Sequence, residues 1–459
     1  MSPEQRGTGG FPDSFAWGVA SAAYQVEGAA AADGKGLSVW DMLCRKEGAI
    51  WNGQNGDIAC DHYRLWREDV QLMRELGIKA YRFSVSWPRV MPEGTGPVNP
   101  KGLGFYSGLV DELREAGIEP WVTLFHWDYP LALYRRGGWL NRDSASWFSE
   151  YADAVVRALS DRVGRWITMN EPQCFIGLGM QTGIHAPGDR LGFGEVLRAG
   201  HHALLAHGRA VQAIRASARS VPEIGFAPVG INRMPISETP ENIEAARQGM
   251  FSVTRKDCFS NTWWMDSVYR GRYPADGMAL FGGAAPRIAE GDMETIAQPL
   301  DFFGVNIYTG VYVKASPQGA PEDVPLPPGY PKTTYDFWPV TPEALYWSPR
   351  FFHERYGLPV VITESGHQNA DVVSLDGRVH DPQRIDYVHR YLRELKRACA
   401  EGVPVRGYFQ WCFTDNFEWA MGDSIRCGIV FTDYVTQRRI PKDSAYWYRE
   451  VIGTNGRDI

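Results

Sequence analysis

Two glutamates directly follow apolar runs that have the composition of buried strands. Glu171 comes after residues 166–170, and Glu364 comes after residues 360–363. A pair of carboxyl groups facing one pocket can hydrolyse a glycosidic bond, because one donates a proton while the other attacks or activates water. The chain contains 54 acidic residues, so either glutamate alone could equally cap a following helix.

Other polar and aromatic side chains lie near the ends of further strand-like runs. In a parallel barrel, the active residues project from the carboxyl ends of the strands. Hydrogen-bonding groups combined with tryptophan faces suit the binding of a sugar. The additional candidates at these ends are Arg82, His126, Asn170, Asn306, Tyr308 and Trp411. Together with the two glutamates, they favour a catalytic site over structural carboxylates.

Eight apolar runs alternate with longer stretches of helical period. Several runs are continuously apolar, as in strands that are buried on both faces of a parallel sheet. Gly77 and Gly117 follow two of the helical stretches, at the position where a glycine ends a helix. The predicted strands are residues 15–20, 80–87, 120–127, 166–170, 224–229, 302–308, 360–364 and 407–413.

This order of elements indicates an α/β fold, a single (β/α)8 TIM barrel domain over residues 1–459 with the active site at the C-terminal ends of the strands. An open, doubly wound sheet is the alternative. The number of strands and the length of 459 residues favour the barrel. Residues 316–342, which are rich in proline and carry Trp338, are predicted to form a long surface loop between strands six and seven.

The composition argues against several functional classes. A net charge of −7 disfavours binding to nucleic acid or to anionic lipid, and without a run of 18 apolar residues no membrane span is expected. The seven cysteines form no CxxC motif, which is typical of reduced thiols. Because the first ten residues contain no apolar leader, we expect a cytoplasmic protein.

Neither a metal nor an organic cofactor is expected. His201, His202 and His207 lie close together in the sequence, but their spacing is not that of a zinc-binding helix. We expect these histidines to be structural. Two carboxylates suffice for glycoside hydrolysis.

Seven short motifs occur together in a defined order, and on these motifs the chain resembles glycoside hydrolase family 1, the β-glucosidase family. The resemblance extends from Phe11 to Tyr448, which is nearly the whole chain. Any one motif would be a weak signal, but their joint order is specific. The motifs are Gln25-Val-Glu-Gly28, Tyr81-Arg-Phe-Ser-Val-Ser-Trp87, His126-Trp-Asp128, Thr168-Met-Asn-Glu-Pro172, Asn306-Ile-Tyr308, Ile362-Thr-Glu364 and Asp415-Asn-Phe-Glu-Trp419.

The resemblance implies a retaining β-glucosidase that acts on terminal β-D-glucosyl residues of oligosaccharides or of aryl and alkyl glycosides. Glu364 would be the nucleophile and Glu171 the general acid/base, with their carboxyl groups about 5–5.5 Å apart. A covalent glycosyl-enzyme would form and then be hydrolysed, with Glu171 acting first as acid and then as base. Arg82 and Tyr308 are expected to hydrogen-bond Glu364 and hold it ionised. Burial and the charge of Glu364 would raise the pKa of Glu171.

The resemblance also implies a set of sugar-binding residues, with β-glucosides or cello-oligosaccharides as substrates. Trp411 would form the floor beneath the sugar, and Trp338 would lie on the leaving-group side. A carboxylate at Glu418 would repel a phosphate, so the expected sugar is unphosphorylated. The remaining implied sugar contacts are Gln25, His126, Asn170, Asn306, Tyr308 and Trp419.

Two alternative functions stay open at this point. The same clamp would accept β-galactosides or β-fucosides, and a non-catalytic sugar-binding protein would need the same pocket. The resemblance further implies a cis peptide bond between Trp411 and Cys412, although Cys412 is not proline.

Three positions depart from the family pattern. Ser365 and Gly366 stand where Asn-Gly is usual, and Cys427 stands where phenylalanine is usual. Gln173 and Cys174 follow Asn-Glu-Pro, where an aromatic residue is common. Without that aromatic, the wall of the leaving-group site is expected to be thinner. The free cysteines are expected to be small apolar core residues, with Cys174 the one candidate for a place near the pocket.

Overall fold

Eight parallel strands form a barrel wall in the computed structural model, which describes residues 9–334 and 338–459. Their spatial order is β5-β4-β3-β2-β1-β8-β7-β6, so each strand lies beside its neighbours in sequence and the first lies beside the last. The predicted (β/α)8 barrel is confirmed. The strands are β1 (Ala16–Ala20), β2 (Ala80–Ser84), β3 (Glu119–Phe125), β4 (Arg165–Asn170), β5 (Glu223–Ala227), β6 (Phe303–Asn306), β7 (Val360–Ser365) and β8 (Val405–Trp411).

The barrel closes between β5 and β6 by a short seam. Among the described residues these two strands share no continuous ladder, but a parallel bridge joins Val229 to Asn306 just beyond β5. The main-chain N–H of Asn306 donates to the carbonyl of Pro228 at 3.0 Å, and the N–H of Gly230 donates to the carbonyl of Asn306 at 2.9 Å. These main-chain hydrogen bonds therefore join β5 and β6 at the carboxyl end of the strands.

A long helix follows each barrel strand and covers the outside of the sheet. The first two helices end as predicted: Gly77 and Gly117 follow them with φ of 70° and 74°, a left-handed conformation that glycine adopts without steric cost. The helices are α1 (His62–Glu75), α2 (Pro100–Glu115), α3 (Ser144–Leu159), α4 (Phe193–Ser217), α5 (Asn261–Arg270), α6 (Ala344–Tyr356), α7 (Pro382–Ala400) and α8 (Asp443–Gly453).

Further elements fill the connections between these strands and helices. Three strands form a small sheet, Asn232–Pro235, Gly310–Ala315 and Pro321–Asp323, and two form a hairpin, Val430–Thr432 and Arg439–Pro441. The further helices and helical turns are Ala23–Val26, Ala32–Gly34, Val39–Leu43, Trp51–Gly53, Trp87–Val90, Leu131–Tyr134, Gly138–Leu140, Pro172–Ile176, Gly177–Thr182, Pro240–Phe251, Ala275–Phe281, Gly282–Ala284, Asp292–Ile296 and Trp419–Met421.

All eight predicted strands exist, but some boundaries were wrong. β2 ends at Ser84 and β3 at Phe125, so the prediction extended both strands too far. The predicted loop 316–342 was also partly wrong, because Pro321–Asp323 pairs antiparallel with Gly310–Ala315. Residues 335–337 of that loop, and residues 1–8 of the segment searched for a leader, lie outside the described residues.

A buried network of charges holds α7 against the segments that follow β7 and β8. Arg384 of α7 forms ion pairs with Asp371 and Asp381, and Lys442 pairs with Asp371 and Asp415. The side chains of these five residues are fully buried, so each charge depends on its partners rather than on water.

None of the helices in residues 9–334 and 338–459 combines the length and the apolar composition that a bilayer-crossing segment needs.

Three histidines of α4 contact polar groups of the surrounding structure. His201 contacts Tyr273 and Asp292, His202 contacts the carbonyl of Trp139, and His207 contacts Thr168.

Candidate active site

Glu171 lies at the exit of β4, buried and in a left-handed conformation with φ of 46°. Its main-chain N–H donates to the carbonyl of Ala227 at 2.8 Å, and Pro172 begins the next short helix. Side chains with a Cβ rarely adopt this conformation, and such residues concentrate at functional sites. The chain therefore turns sharply at the residue that carries the carboxyl group.

Glu364 lies in β7, and both of its carboxyl oxygens are held. Arg82 Nη1 is 2.6 Å from Oε1, and the hydroxyl of Tyr308 donates to Oε2 at 2.7 Å. Arg82 is fully buried in β2, and its Nε also donates to Thr123. The two contacts that the sequence led us to expect around Glu364 are thus present.

Asn306 and Asn170 connect the two glutamates. Asn306 Nδ2 donates to Glu171 Oε1 at 2.7 Å and to Asn170 Oδ1 at 3.0 Å. Asn170 Oδ1 also accepts from Arg82 Nη2 at 2.7 Å. Because Arg82 contacts Glu364 as well, one continuous hydrogen-bond network joins both carboxyl groups.

The two carboxyl groups differ in their electrostatic surroundings. Burial and the nearby Glu364 raise the pKa of Glu171 to about 7, although its hydrogen bond from Asn306 opposes the rise. Burial raises the pKa of Glu364 also, while Arg82 and Tyr308 counteract that effect. Since only Glu364 of the pair hydrogen-bonds the guanidinium among the described residues, Glu364 is the more readily ionised of the two, and Glu171, with its pKa of about 7, is partly protonated at neutral pH.

Polar atoms beside this pair have no partner among the described residues. Gln25 Oε1 and His126 Nδ1 are both buried and unpaired there. His126 Nε2 lies 3.1 Å from Asn170 Nδ2. Burial and Arg82 hold the pKa of His126 well below its usual value, so the ring is neutral, accepts at Nε2 and carries its proton on Nδ1. An acceptor and a donor are thus available for ligand hydroxyls.

Aromatic rings surround these polar groups. The ring of His126 stacks on Trp411 at a centroid distance of 5.7 Å and on Trp419 at 6.0 Å. The Trp411–Cys412 peptide bond is cis, as predicted. Trp338, which is half-buried, packs against Tyr308 at 4.8 Å.

Glu418 is held between an amide and a thiol. Gln25 Nε2 is 3.2 Å from Glu418 Oε2, and Cys427 Sγ lies 3.7 Å from the same oxygen. Burial, followed by the charge of Glu364, raises the pKa of Glu418 to about 8. The unusual cysteine at position 427 therefore lies directly behind a carboxyl group of the sugar clamp that the sequence predicts.

The thinner leaving-group wall expected at position 173 stays a prediction. The side chain of Gln173 is fully buried, and its amide pairs with the main chain of Val229. Cys174 does lie at the site, where burial and the neighbouring Glu171 raise the pKa of its thiol. The turn after Pro172 directs the Gln173 side chain onto the main chain of Val229, and no periodicity in the sequence predicts that direction.

Sequence reasoning assigned no role to three residues that support the site. Trp127 Nε1 donates to the carbonyl of Asn170 at 3.0 Å, Thr363 donates to Asn306 at 2.6 Å, and Asn416 lies 3.3 Å from Gln25 Nε2. All three stand inside the motifs beside residues that were singled out. Their positions next to the candidate residues are the one sequence feature that could have identified them.

The matches to known proteins agree with this arrangement. The family model described as "Glycosyl hydrolase family 1" matches residues 7–457. "Beta-glucosidase A" of Thermotoga maritima is 45% identical over 97% of this chain and 98% of its own length. "Bifunctional beta-D-glucosidase/beta-D-fucosidase" of Bifidobacterium breve is 41% identical over 96% of this chain and 98% of its own length.

A solved structure is similar over its whole length. It is "Beta-glucosidase from Thermotoga maritima in complex with glucoimidazole", with a TM-score of 0.89, 44% identity and coverage of 98% of this chain and 100% of that one. The family match, these relatives and the barrel with its paired glutamates agree, and the chain belongs to glycosyl hydrolase family 1.

Proposed function

We propose that this chain is a retaining β-glucosidase that hydrolyses terminal non-reducing β-D-glucosyl residues through a covalent glycosyl-enzyme. The observation that carries the proposal is the unequal pair of glutamates. Glu364 is held by Arg82 and Tyr308, whereas Glu171 is held by the neutral amide of Asn306. Retaining hydrolysis needs this division, with one ionised nucleophile and one protonated acid.

In the first step Glu364 attacks the anomeric carbon, and Glu171 protonates the leaving oxygen. The pKa of Glu171, raised to about 7, keeps a useful fraction of the acid form at neutral pH. Arg82 and Tyr308 hold the two oxygens of Glu364 in place, so little reorganisation is needed at the moment of attack. The carbon–oxygen bond to the leaving group breaks as the ester bond to Glu364 forms.

In the second step Glu171 acts as a base. Formation of the ester removes the negative charge of Glu364, which is the second cause of the raised pKa of Glu171 after burial. The pKa of Glu171 therefore falls, and its carboxylate can accept a proton from water. Water attacks the anomeric carbon, releases Glu364 and yields a sugar with retained configuration.

The expected sugar contacts support a glucoside as substrate. Gln25 and His126 present a buried acceptor and donor, Trp411 supplies an aromatic face, and Glu418 supplies a carboxyl group that can hydrogen-bond sugar hydroxyls. Relatives that are 45% and 42% identical are named "Beta-glucosidase A", and one that is 44% identical is named "1,4-beta-D-glucan glucohydrolase". Galactose or fucose specificity is not favoured, and β-glucosides or cello-oligosaccharides are the proposed substrates.

The test compares p-nitrophenyl β-glucoside with the β-galactoside, the α-glucoside and the 6-phospho-β-glucoside. We expect the β-glucoside to have the highest kcat/KM and its product to keep the β configuration by NMR. Glu364→Gln should abolish turnover, and a 2-deoxy-2-fluoro-β-glucoside should label Glu364 in the wild type. Glu68→Gln, on the exposed face of α1, is the matched control. Full activity of Glu364→Gln, or turnover of the phosphorylated sugar alone, would refute the proposal.

Two further expectations belong to the same proposal. Residues 1–459 would act as one catalytic unit, and the protein would reside in the cytoplasm. The seven free cysteines support a reducing compartment. Cell fractionation with activity assays tests the location, and limited proteolysis tests whether the chain is cut into separately stable parts.

A further inference from the structure

Gln173 lies two residues after Glu171, and its side-chain amide pairs with a peptide group. Gln173 Nε2 donates to the carbonyl of Val229 at 3.0 Å, and Gln173 Oε1 accepts from the N–H of Val229 in a longer contact of 3.4 Å. The side chain is fully buried. The side-chain amide therefore pairs with the N–H and the carbonyl of Val229 as a neighbouring strand would, just after β5 ends.

Val229 is the residue that bridges the seam between β5 and β6. It forms the bridge to Asn306, and the flanking residues Pro228 and Gly230 exchange main-chain hydrogen bonds with Asn306. The position of the Asn306 backbone is thus fixed from the β5 side by the segment that Gln173 holds.

The side chain of Asn306 completes the connection to Glu171. Its amide donates to Glu171 Oε1 at 2.7 Å, and its oxygen accepts from Thr363 at 2.6 Å. Because both ends of this amide are engaged, the Glu171 carboxyl group follows any shift of the Asn306 backbone.

We propose that Gln173 is a positioning residue for the general acid/base, acting through Val229 and Asn306 to fix the carboxyl group of Glu171. The inference rests on the proposed function. Glutamine suits this role because its amide presents one donor and one acceptor, as a peptide group does. Methionine has a similar length but neither group, and glutamate has no donor when ionised.

Substrates that differ in their need for a proton separate this role from a general structural one. Release of methanol or glucose requires protonation by Glu171, whereas 2,4-dinitrophenolate leaves without it. A displaced Glu171 therefore lowers kcat/KM for methyl β-glucoside and cellobiose but leaves the dinitrophenyl β-glucoside almost unchanged. A displacement near 1 Å can cost about a hundredfold in rate.

The experiment measures kcat/KM of Gln173→Met and Gln173→Glu on methyl β-glucoside and on 2,4-dinitrophenyl β-glucoside. We expect both variants to lose about tenfold or more on the methyl glucoside and less than about twofold on the dinitrophenyl glucoside. Gln181→Met is the matched control, because its amide also bonds a main-chain carbonyl, that of Lys256, but makes no hydrogen bond to the seam among the described residues.

Equal losses on both substrates, or no loss on either, would overturn the inference. Thermal melting of each variant establishes that the folded protein is being compared, and Gln173→Glu provides the answer if Gln173→Met does not fold. Wild-type protein that cleaves neither substrate would refute the proposed function instead. The two failures are therefore distinguishable.

Discussion

The side-chain amide of Asn306 lies 2.7 Å from Oε1 of Glu171 and donates a hydrogen bond to it. This bond stabilises the carboxylate and lowers the pKa of Glu171 from the value that burial alone would produce. The amide also bonds Asn170, so its removal affects the acid and its neighbour together.

We expect Asn306→Ala to shift the alkaline limb of the kcat/KM profile to higher pH. Loss of a donor to a carboxylate raises its pKa, so Glu171 keeps its proton further into the alkaline range. The maximum of kcat/KM should fall about tenfold or more, since a hydrogen bond to a charged group contributes about 1.5–3 kcal/mol. Asn242→Ala, on the helix Pro240–Phe251, should leave the profile unchanged. A shift toward acid in Asn306→Ala would contradict the assignment.

Glu364→Gln should lower the pKa of Glu171 below its wild-type value of about 7. The substitution removes the neighbouring negative charge but preserves size, and thus mimics the charge state of the glycosyl-enzyme. Titration of the Glu171 carboxyl carbon by 13C NMR in both proteins measures the difference. An identical pKa in the two proteins would mean that burial alone sets the acidity, and that formation of the ester does not convert Glu171 from acid to base.

Cys427→Ala should weaken glucoside binding through Glu418. The thiol donates to Glu418 and lowers its pKa, so its loss raises that pKa further and removes one of the two contacts that orient the carboxyl group. We expect KM for p-nitrophenyl β-glucoside to rise about fivefold, corresponding to about 1 kcal/mol for one hydrogen bond, with little change in kcat. The family resemblance implies that Glu418 lies near the 4- and 6-hydroxyls of the sugar, so the β-xyloside, which lacks the 6-hydroxymethyl group, should be less affected.

Cys399→Ala is the control for the preceding variant, because Cys399 lies near the end of α7. Equal changes for the glucoside and the xyloside would show that Cys427 does not act through the part of the sugar that Glu418 contacts.

Arg384→Met should destabilise the fold without touching the substrate. The guanidinium pairs with Asp371 and Asp381, and all three side chains are fully buried. Its removal leaves Asp381 without an ion pair and Asp371 with Lys442 alone, and breaking a buried pair costs about 3–5 kcal/mol. For 459 residues this lowers Tm by about 3–5 °C, because the unfolding entropy is about 1 kcal/mol/K at this length.

Arg390→Met provides the comparison in the same helix, since Arg390 and Asp386 form an exposed pair. Exposed pairs contribute about 0–1 kcal/mol, so its Tm should stay within about 1 °C of wild type. Calorimetric scans of both variants check this. An Arg384→Met protein as stable as wild type would mean that the surrounding carboxylates take up protons or water at little cost.

The barrel was predictable because its strands are buried on both faces and therefore form continuous apolar runs. The two glutamates, Arg82 and Tyr308 could be singled out because strand-end polar groups stand out against such runs. The C-terminal boundaries of β2 and β3 were harder to predict, since apolar residues continue into the turns that follow these strands. Residue type does not report where the hydrogen-bond ladder stops.

Gln173 illustrates what a sequence pattern leaves out. The family pattern indicated only a missing aromatic at this position, whereas in the structure the turn after Pro172 directs its amide onto the main chain of Val229. That pairing depends on the three-dimensional meeting of segments that are 56 residues apart. Neither hydrophobic periodicity nor motif spacing contains this information.

The seam at Val229 and Asn306 also has a consequence for local unfolding. Among the described residues, β5 and β6 each have one continuous ladder partner, whereas the other six barrel strands have two. The sheet therefore loses the fewest main-chain hydrogen bonds when it opens here. Asn306 lies on β6 at this opening, and its side chain bonds Glu171, whose main-chain N–H donates to Ala227 of β5. A sugar that contacts both Glu171 and Asn306 would therefore stabilise the closed seam, so ligand binding and opening of the barrel are thermodynamically linked. Amide hydrogen exchange at Gly230 and Asn306 should accordingly slow when an inhibitor fills the site.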